Sequence, residues 1–332
     1  MSAAVTTYAT IDDHLGPAEG RYFGGGFRRV SHRITGAVLE HAAGRITARA
    51  GVTYPDDWST KSAGRSLTPH LSTIDATIVS IALAESYLTH TFTLDEEQRR
   101  DLWLRRLVIT ASSRPQEQLG DFGIIAWHTG TTTDHDTATS VFDCRIGNLR
   151  TRCDVAHPVL PPRRDHEPAL LPDDLLGAPS NRYYGRGFQT RQHQLCDVRI
   201  AADRAEASAD VHISDTTTFP DGFGGRHQPS ATVIDGTVVL AQLTQSLLYH
   251  LDDIDRAQSN TLWMRRIDVT ANSPEPPLAG RFRSSAAIVR SALVDFDGGT
   301  WRTSDCAMQF SGMRFELRVA HQLPATTRAG AR

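Results

Sequence analysis

His70, Asp75 and Glu85 are the residues whose types and spacing suggest chemistry. An imidazole ionises near neutral pH, so His70 can take the proton of a hydroxyl and hand it on. It stands just ahead of a long apolar segment, where the free amides of a helix start can hold a developing oxyanion. Ser72 and Asp75 form a Ser-x-x-acid pattern close to a capping box. Asp75 thus has two readings, a helix cap or a substrate contact. Glu85 falls inside the apolar segment, and a buried carboxylate is costly unless paired. It is either neutralised by a partner or functional. The set points to general-base acyl transfer, with His70, Asp75 and Glu85 as catalytic candidates. Trp58, Lys61, Ser72, Arg105, Arg106 and Asp235 are the candidate substrate contacts. The cationic ones suit a phosphate or pantetheine, or else form a salt-bridged strand edge.

The chain repeats itself. Arg21-Tyr22-Phe23-Gly24-Gly25-Gly26-Phe27 returns as Arg182-Tyr183-Tyr184-Gly185-Arg186-Gly187-Phe188, and Leu102-Trp103-Leu104-Arg105-Arg106 as Leu262-Trp263-Met264-Arg265-Arg266. Ser72-Thr73-Ile74-Asp75 answers Thr232-Val233-Ile234-Asp235, and Val155-Ala156-His157 answers Val319-Ala320-His321. Ordered blocks at nearly one offset mark an internal duplication. The first copy spans 15–157 and the second 181–322, joined by a proline-rich connector over 158–180. At the shared offset His70 faces Ser230 and Glu85 faces Gln245. Trp58 and Lys61 fall where the second copy has Thr218 and Asp221, so the versatile side chains gather in copy one. The Gly-x-Gly blocks are either structural turns or a weak anion cradle, because no strand precedes them in the phosphate-loop manner.

These residues need a scaffold, and the patterning supplies one. Ile46, Ala48, Ala50, Val52 and Tyr54 alternate with other residues at the period of a half-buried strand, as do Ala205 to Ile213 in the second copy. Ile74 to His90 and Ile234 to His250 are apolar nearly all round, which predicts helices enclosed by protein. Further strands are predicted at 106–111, 122–128 and 141–156. A strand, a buried helix and several antiparallel strands make a hotdog unit. The fold class is therefore α+β, a tandem (double) hotdog. Each half is an antiparallel sheet wrapped round a buried central helix, and the two pair as a pseudo-dimer within one chain.

Composition bounds the function. With 39% hydrophobic and 22% charged residues, the 332-residue chain has the balance of a globular protein. A net charge of -3 lacks the basic excess of a nucleic-acid binder. No run is long and apolar enough to span a membrane, and the first residues lack a signal-peptide pattern. A cytoplasmic protein is expected, a monomeric pseudo-dimer with further dimerisation open. Cys144, Cys153, Cys196 and Cys306 form no CxxC pair and read as reduced packing residues.

The runs Gly20 to Ser31, Tyr54-Pro55-Asp56-Asp57-Trp58-Ser59-Thr60-Lys61 and Pro69-His70-Leu71-Ser72-Thr73-Ile74-Asp75-Ala76 resemble the avirulence D (AvrD) family of bacterial proteins over most of the chain. The resemblance implies synthesis of syringolide-type acyl glycosides, joining a β-ketoacyl thioester to a pentulose such as xylulose. The family is distantly similar to A-factor synthases of the AfsA type. Those double hotdog enzymes join a β-ketoacyl carrier protein to dihydroxyacetone phosphate on the way to butenolide signals. It brings no site residues with it.

The expected reaction is acyl transfer in copy one. The acyl group, carried by acyl carrier protein or acyl-CoA, lies along its central helix. His70 deprotonates a small sugar or sugar phosphate, amides near Ser72 to Asp75 hold the oxyanion, and Lys61 or Arg105 holds the sugar. No metal or bound cofactor is called for. Rival readings are a hotdog dehydratase or thioesterase, and a non-catalytic binder of a butenolide-like ligand.

Overall fold

Two helices of 19 residues dominate the helical content, and both start for the same local reason. In the first, α2 (Thr73–Thr91), the Ser72 hydroxyl accepts the Asp75 amide at 3.1 Å, and the Asp75 carboxylate accepts the Ser72 amide at 2.8 Å. In the second, α4 (Val233–Leu251), Thr232 and Asp235 make the same reciprocal pair at 3.3 and 2.9 Å. Each box satisfies two amides that a helix start leaves without partners, worth about 1 kcal/mol for the cap side chain. Both helices are buried on nearly every side, as their uniform apolarity requires.

The computed structural model describes residues 5–61, 65–163, 167–214, 217–256, 259, 262–274, 276, 278 and 280–324. Ahead of α2 come β1 (Val5–Thr10), α1 (Asp12–Leu15), β2 (Ser31–Glu40), β3 (Arg45–Thr53), β4 (Thr60–Lys61) and β5 (Arg65–Ser66). After it come α3 (Glu96–Arg100), β6 (Trp103–Thr110), β7 (Phe122–Asp134), β8 (Thr137–Ile146), β9 (Leu149–Pro158) and β10 (Ala169–Leu170). Then follow β11 (Gln192–Ala201), β12 (Glu206–Ser214), β13 (Leu262–Thr270), β14 (Arg281–Phe296), β15 (Gly299–Phe310) and β16 (Met313–Gln322), with α4 between β12 and β13.

Fourteen strands form one sheet, ordered β1-β11-β12-β14-β15-β16-β13-β6-β9-β8-β7-β3-β2-β10. Counted outward from its middle, each half repeats one order: β6-β9-β8-β7-β3-β2 and β13-β16-β15-β14-β12-β11. The halves meet where β6 and β13 pair antiparallel, Val108 opposite Asp268. α2 packs on β9, β3, β8 and β7, and α4 on β12, β14, β11 and β15. Antiparallel sheet around a helix is the hotdog arrangement. Two segments outside the expected domain bounds are also woven in: β1 pairs with β11 of the second half, and β10, from the proline-rich connector, pairs with β2 of the first. Both cover sheet edges that would otherwise stand open. The connector is thus more than a spacer.

The repeated glycine block is a close-packing device. A Cβ on Gly24 would lie 2.3 Å from the Ala18 carbonyl oxygen, and one on Gly185 2.3 Å from that of Pro179. Gly24→Ala and Gly185→Ala are each expected to lower stability by about 1–3 kcal/mol, the cost of overpacking against backbone that cannot yield. Chemical denaturation of the two variants checks this. Among the described residues no helix is long and apolar enough to cross a membrane.

Candidate functional site

A cavity of about 650 Å³ opens between the halves, at the start of α2 and along the side of α4. From the first half it is lined by Tyr22, Trp58, His70, Ser72 and Thr73, and from α4 by Thr237, Leu240, Ala241, Thr244 and Gln245. Its apolar depth, with Ile267, Met308 and Leu317, belongs to the second half. The helix expected to run beside an acyl chain is that of copy one, whereas this cavity is walled by α4 and by the start, not the middle, of α2. A second set of lining residues, Ser112, Arg114, Gln116 and Asn148, forms a polar wall.

His70 sits between two indoles, its ring centre 5.4 Å from that of Trp263 and 6.0 Å from that of Trp58. Its Nδ1 lies 3.5 Å from the Thr68 carbonyl. Burial holds its pKa below the ordinary histidine value, so the ring is neutral near pH 7 and able to accept a proton. Ser72 lies alongside, its hydroxyl 2.6 Å from that of Tyr22. Trp58 is fixed by donation from its indole N–H to the Leu67 carbonyl at 3.1 Å. Of the amides at the start of α2, those of Ser72 and Asp75 are engaged in the capping box. Those of Thr73 and Ile74 lack intrahelical acceptors by position.

Asp75 stands behind this wall rather than in it. It is fully buried, 2.7 Å from His32 Nε2, and accepts from the Tyr54 hydroxyl and the Ser72 amide. Burial alone would raise its pKa, but the His32 and Tyr54 contacts outweigh it and keep the carboxyl below its usual range. An ionised, saturated carboxylate positions the helix start and does not reach the cavity.

Four other candidates also lie elsewhere. Glu85 is buried beneath the segment Phe219–Phe223, accepts the Phe223 amide at 3.1 Å and faces Arg182 at 3.7 Å. Burial pushes its pKa up, opposed by Arg182 and Arg99. The buried Phe219 and Phe223 rings of that segment pack on Tyr183 and Tyr184, the repeats of the cavity-lining Tyr22 and Phe23. Glu85 thus holds that segment in place, and Glu85→Gln is expected to preserve turnover while lowering the unfolding midpoint. Comparing rate and melting curve of that one variant checks both. Arg105 stacks over Trp103 at 5.2 Å, in the first half's counterpart of the Trp263 region. Arg106 forms a bidentate pair with Asp268, at 2.9 and 2.7 Å, across the β6–β13 junction. Asp235 is wholly buried against Arg191, His193 and Thr232. The Lys61 backbone belongs to β4, but its side chain lies outside the described residues.

Sequence reasoning missed Gln245, Trp263 and the polar wall. Gln245 had a signal, since Thr244 and Gln245 interrupt an apolar helix just as Glu85 does in the other copy. Trp263 was visible only as a repeat of Trp103. The wall residues lie in the loop after β6 and the β8–β9 turn, which converge only through the fold. Among the described residues no group of three or more His, Cys, Asp or Glu is placed to hold a metal ion.

Residues 6–324 match the family model described as "Pseudomonas avirulence D protein (AvrD)". No curated protein matches the chain. Among solved structures, the tesB protein of Mycobacterium avium subspecies paratuberculosis is similar with 8% identity and a TM-score of 0.43, covering 86% of this chain and 96% of that one. The 12:0-ACP thioesterase of Umbellularia californica aligns at 12% identity and TM-score 0.39, with coverages of 93% and 97%. The PpsC dehydratase domain of Mycobacterium tuberculosis, in complex with C12:1-CoA, aligns at 14% and 0.34, with 87% and 98%.

Proposed function

We propose, from the premise that this chain belongs to the avirulence D family, that it joins a β-ketoacyl group from a thioester to a hydroxyl of a ketose, in syringolide-type biosynthesis. The observation that carries the reading is the position of His70. A neutral imidazole stands at the start of a helix, where a cavity with an apolar depth meets a polar wall.

The acyl tail occupies the depth beside Leu240, Met308 and Leu317, where its burial from water holds it. The ketose meets Ser112, Gln116 and Asn148, whose hydroxyl and amides suit a polyol, and these take the role first expected of Arg105. His70 removes the acceptor's hydroxyl proton as its oxygen bonds to the thioester carbon. The tetrahedral oxyanion forms against the Thr73 amide. It collapses with cleavage of the carbon–sulfur bond, and the imidazolium returns its proton to the departing thiolate. The products are an ester and a free thiol.

Purified protein incubated with a β-ketoacyl thioester, with and without xylulose, tests the reading by mass spectrometry. An ester whose mass is the acid plus the sugar less one water is expected, only when both are present. Free acid or enoyl product regardless of sugar would replace the reading with thioesterase or dehydratase chemistry. Thermal stabilisation by a butenolide without turnover would replace it with simple binding.

A further inference from the structure

The cavity does not end inside the sheet. Along β15 the even-numbered residues Ser304, Cys306, Met308 and Phe310 are buried toward α4, so Trp301 and Thr303 belong to the opposite, outer face. Thr303 pairs with Ala320, and Ala320 with Trp263, giving one row across β15, β16 and β13 on that face. Val294 pairs with Trp301, and Phe296 with Gly299. Val294, Phe296, Trp301, Thr303, Ala320 and Trp263 all line the same cavity as His70. The cavity is therefore continuous with a groove outside the sheet, and His70, its ring tilted against that of Trp263, stands where the two parts meet.

The tip of the groove presents exposed apolar side chains. Phe296 is 67% and Val294 45% exposed, at the tip of the β14–β15 hairpin. Exposed apolar side chains grouped beside a cavity mark a binding surface. The other half serves as an internal control. Its row Trp103–Ala156–Thr139 repeats Trp263–Ala320–Thr303, yet the cross-strand pair at its hairpin tip is Asp134–Thr137 where the second half has Val294–Trp301. The scaffold is shared, and the apolar tip occurs only in the half whose groove reaches the cavity.

We propose that this outer groove holds the thiol-bearing arm of the thioester, the flexible, uncharged, amide-containing chain beyond sulfur. The inference rests on the acyl-transfer reading: with the acyl tail inside and the carbonyl at His70, sulfur and everything attached to it point outward. Phe296, Val294 and Trp301 bury the arm's methylenes. Part of the substrate's recognition thus lies in the leaving group.

The test uses two non-hydrolysable thioether analogues with one acyl chain, in which a methylene separates the retained carbonyl from sulfur, one bearing a full pantetheine arm and one only an N-acetylcysteamine arm. Calorimetry on the full chain is expected to give tighter binding of the pantetheine analogue by about 10-fold or more, the scale of a lost apolar contact. In the double variant Val294→Ser/Phe296→Ser that ratio falls to near one, with the melting temperature held. Equal affinities in the parent protein, or an unchanged ratio in the variant, would overturn the groove. So would an unchanged ratio with a shift from dimer to monomer, which would make the tip a self-association surface. Failure of acyl transfer shows separately, as arm-dependent binding without any ester product.

Discussion

His70→Ala is expected to lower the rate of ester formation by about 100- to 10,000-fold, the range for loss of a positioned general base. The thioether analogue still binds, because the apolar depth beside α4 is untouched. The pH profile carries a second signature. Burial favours the neutral imidazole, so the reactive form persists to lower pH than for a free histidine. kcat/KM should rise with pH along an acid limb centred below about 6.5, the unperturbed value, and stay level above it. The limb should vanish in the alanine variant. A rate within error of the parent would remove His70 from the chemistry.

Asp235→Ala is expected to cost about 3–5 kcal/mol, the penalty for leaving a buried charge without its counter-ion. The Arg191 side chain is wholly buried, donating to Asp235, to the Ser230 carbonyl at 2.8 Å and to Gln228 at 2.7 Å, with its guanidinium 4.5 Å from the Tyr183 ring centre. Burial works against ionisation of Asp235, but Arg191 and His193 prevail and hold its pKa far below the usual carboxylate value. The sign follows from linkage. A depressed folded pKa gives stability that is present above the unfolded value of about 3.9 and is lost as pH falls through the folded one. Acid unfolding of the parent should therefore steepen below about pH 4, and the variant should lack that part of the slope. Urea unfolding across pH 3–7 measures both. Equal stability of the two proteins would refute the role given to the pair.

What could be read from the sequence divides by range of interaction. Capping boxes, the enclosed helices and the alternating strands rest on neighbouring residues, so Ser72 with Asp75 and Thr232 with Asp235 were legible as helix starts. The repeat likewise exposed which positions had diverged. It did not say which member of a diverged pair faces open space. Glu85 looked the more reactive of Glu85 and Gln245, yet its charge answers Arg182 and the Phe223 amide, while Gln245 lines the cavity. Arg106 carried the signature of an anion site, but its anion, Asp268, belongs to the other half of the same chain. Such outcomes depend on which loop fills which gap, and nothing local encodes that.

The decisive measurement is a crystal structure with the analogue of a β-ketoacyl thioester bound in which a methylene separates the reacting carbonyl from sulfur. The acyl tail should lie against Leu240, Met308 and Leu317, with the carbonyl within hydrogen-bonding reach of the Thr73 amide and His70 beside it. A tail lying along α2 under the segment Phe219–Phe223, or a carbonyl remote from His70, would contradict the mechanism.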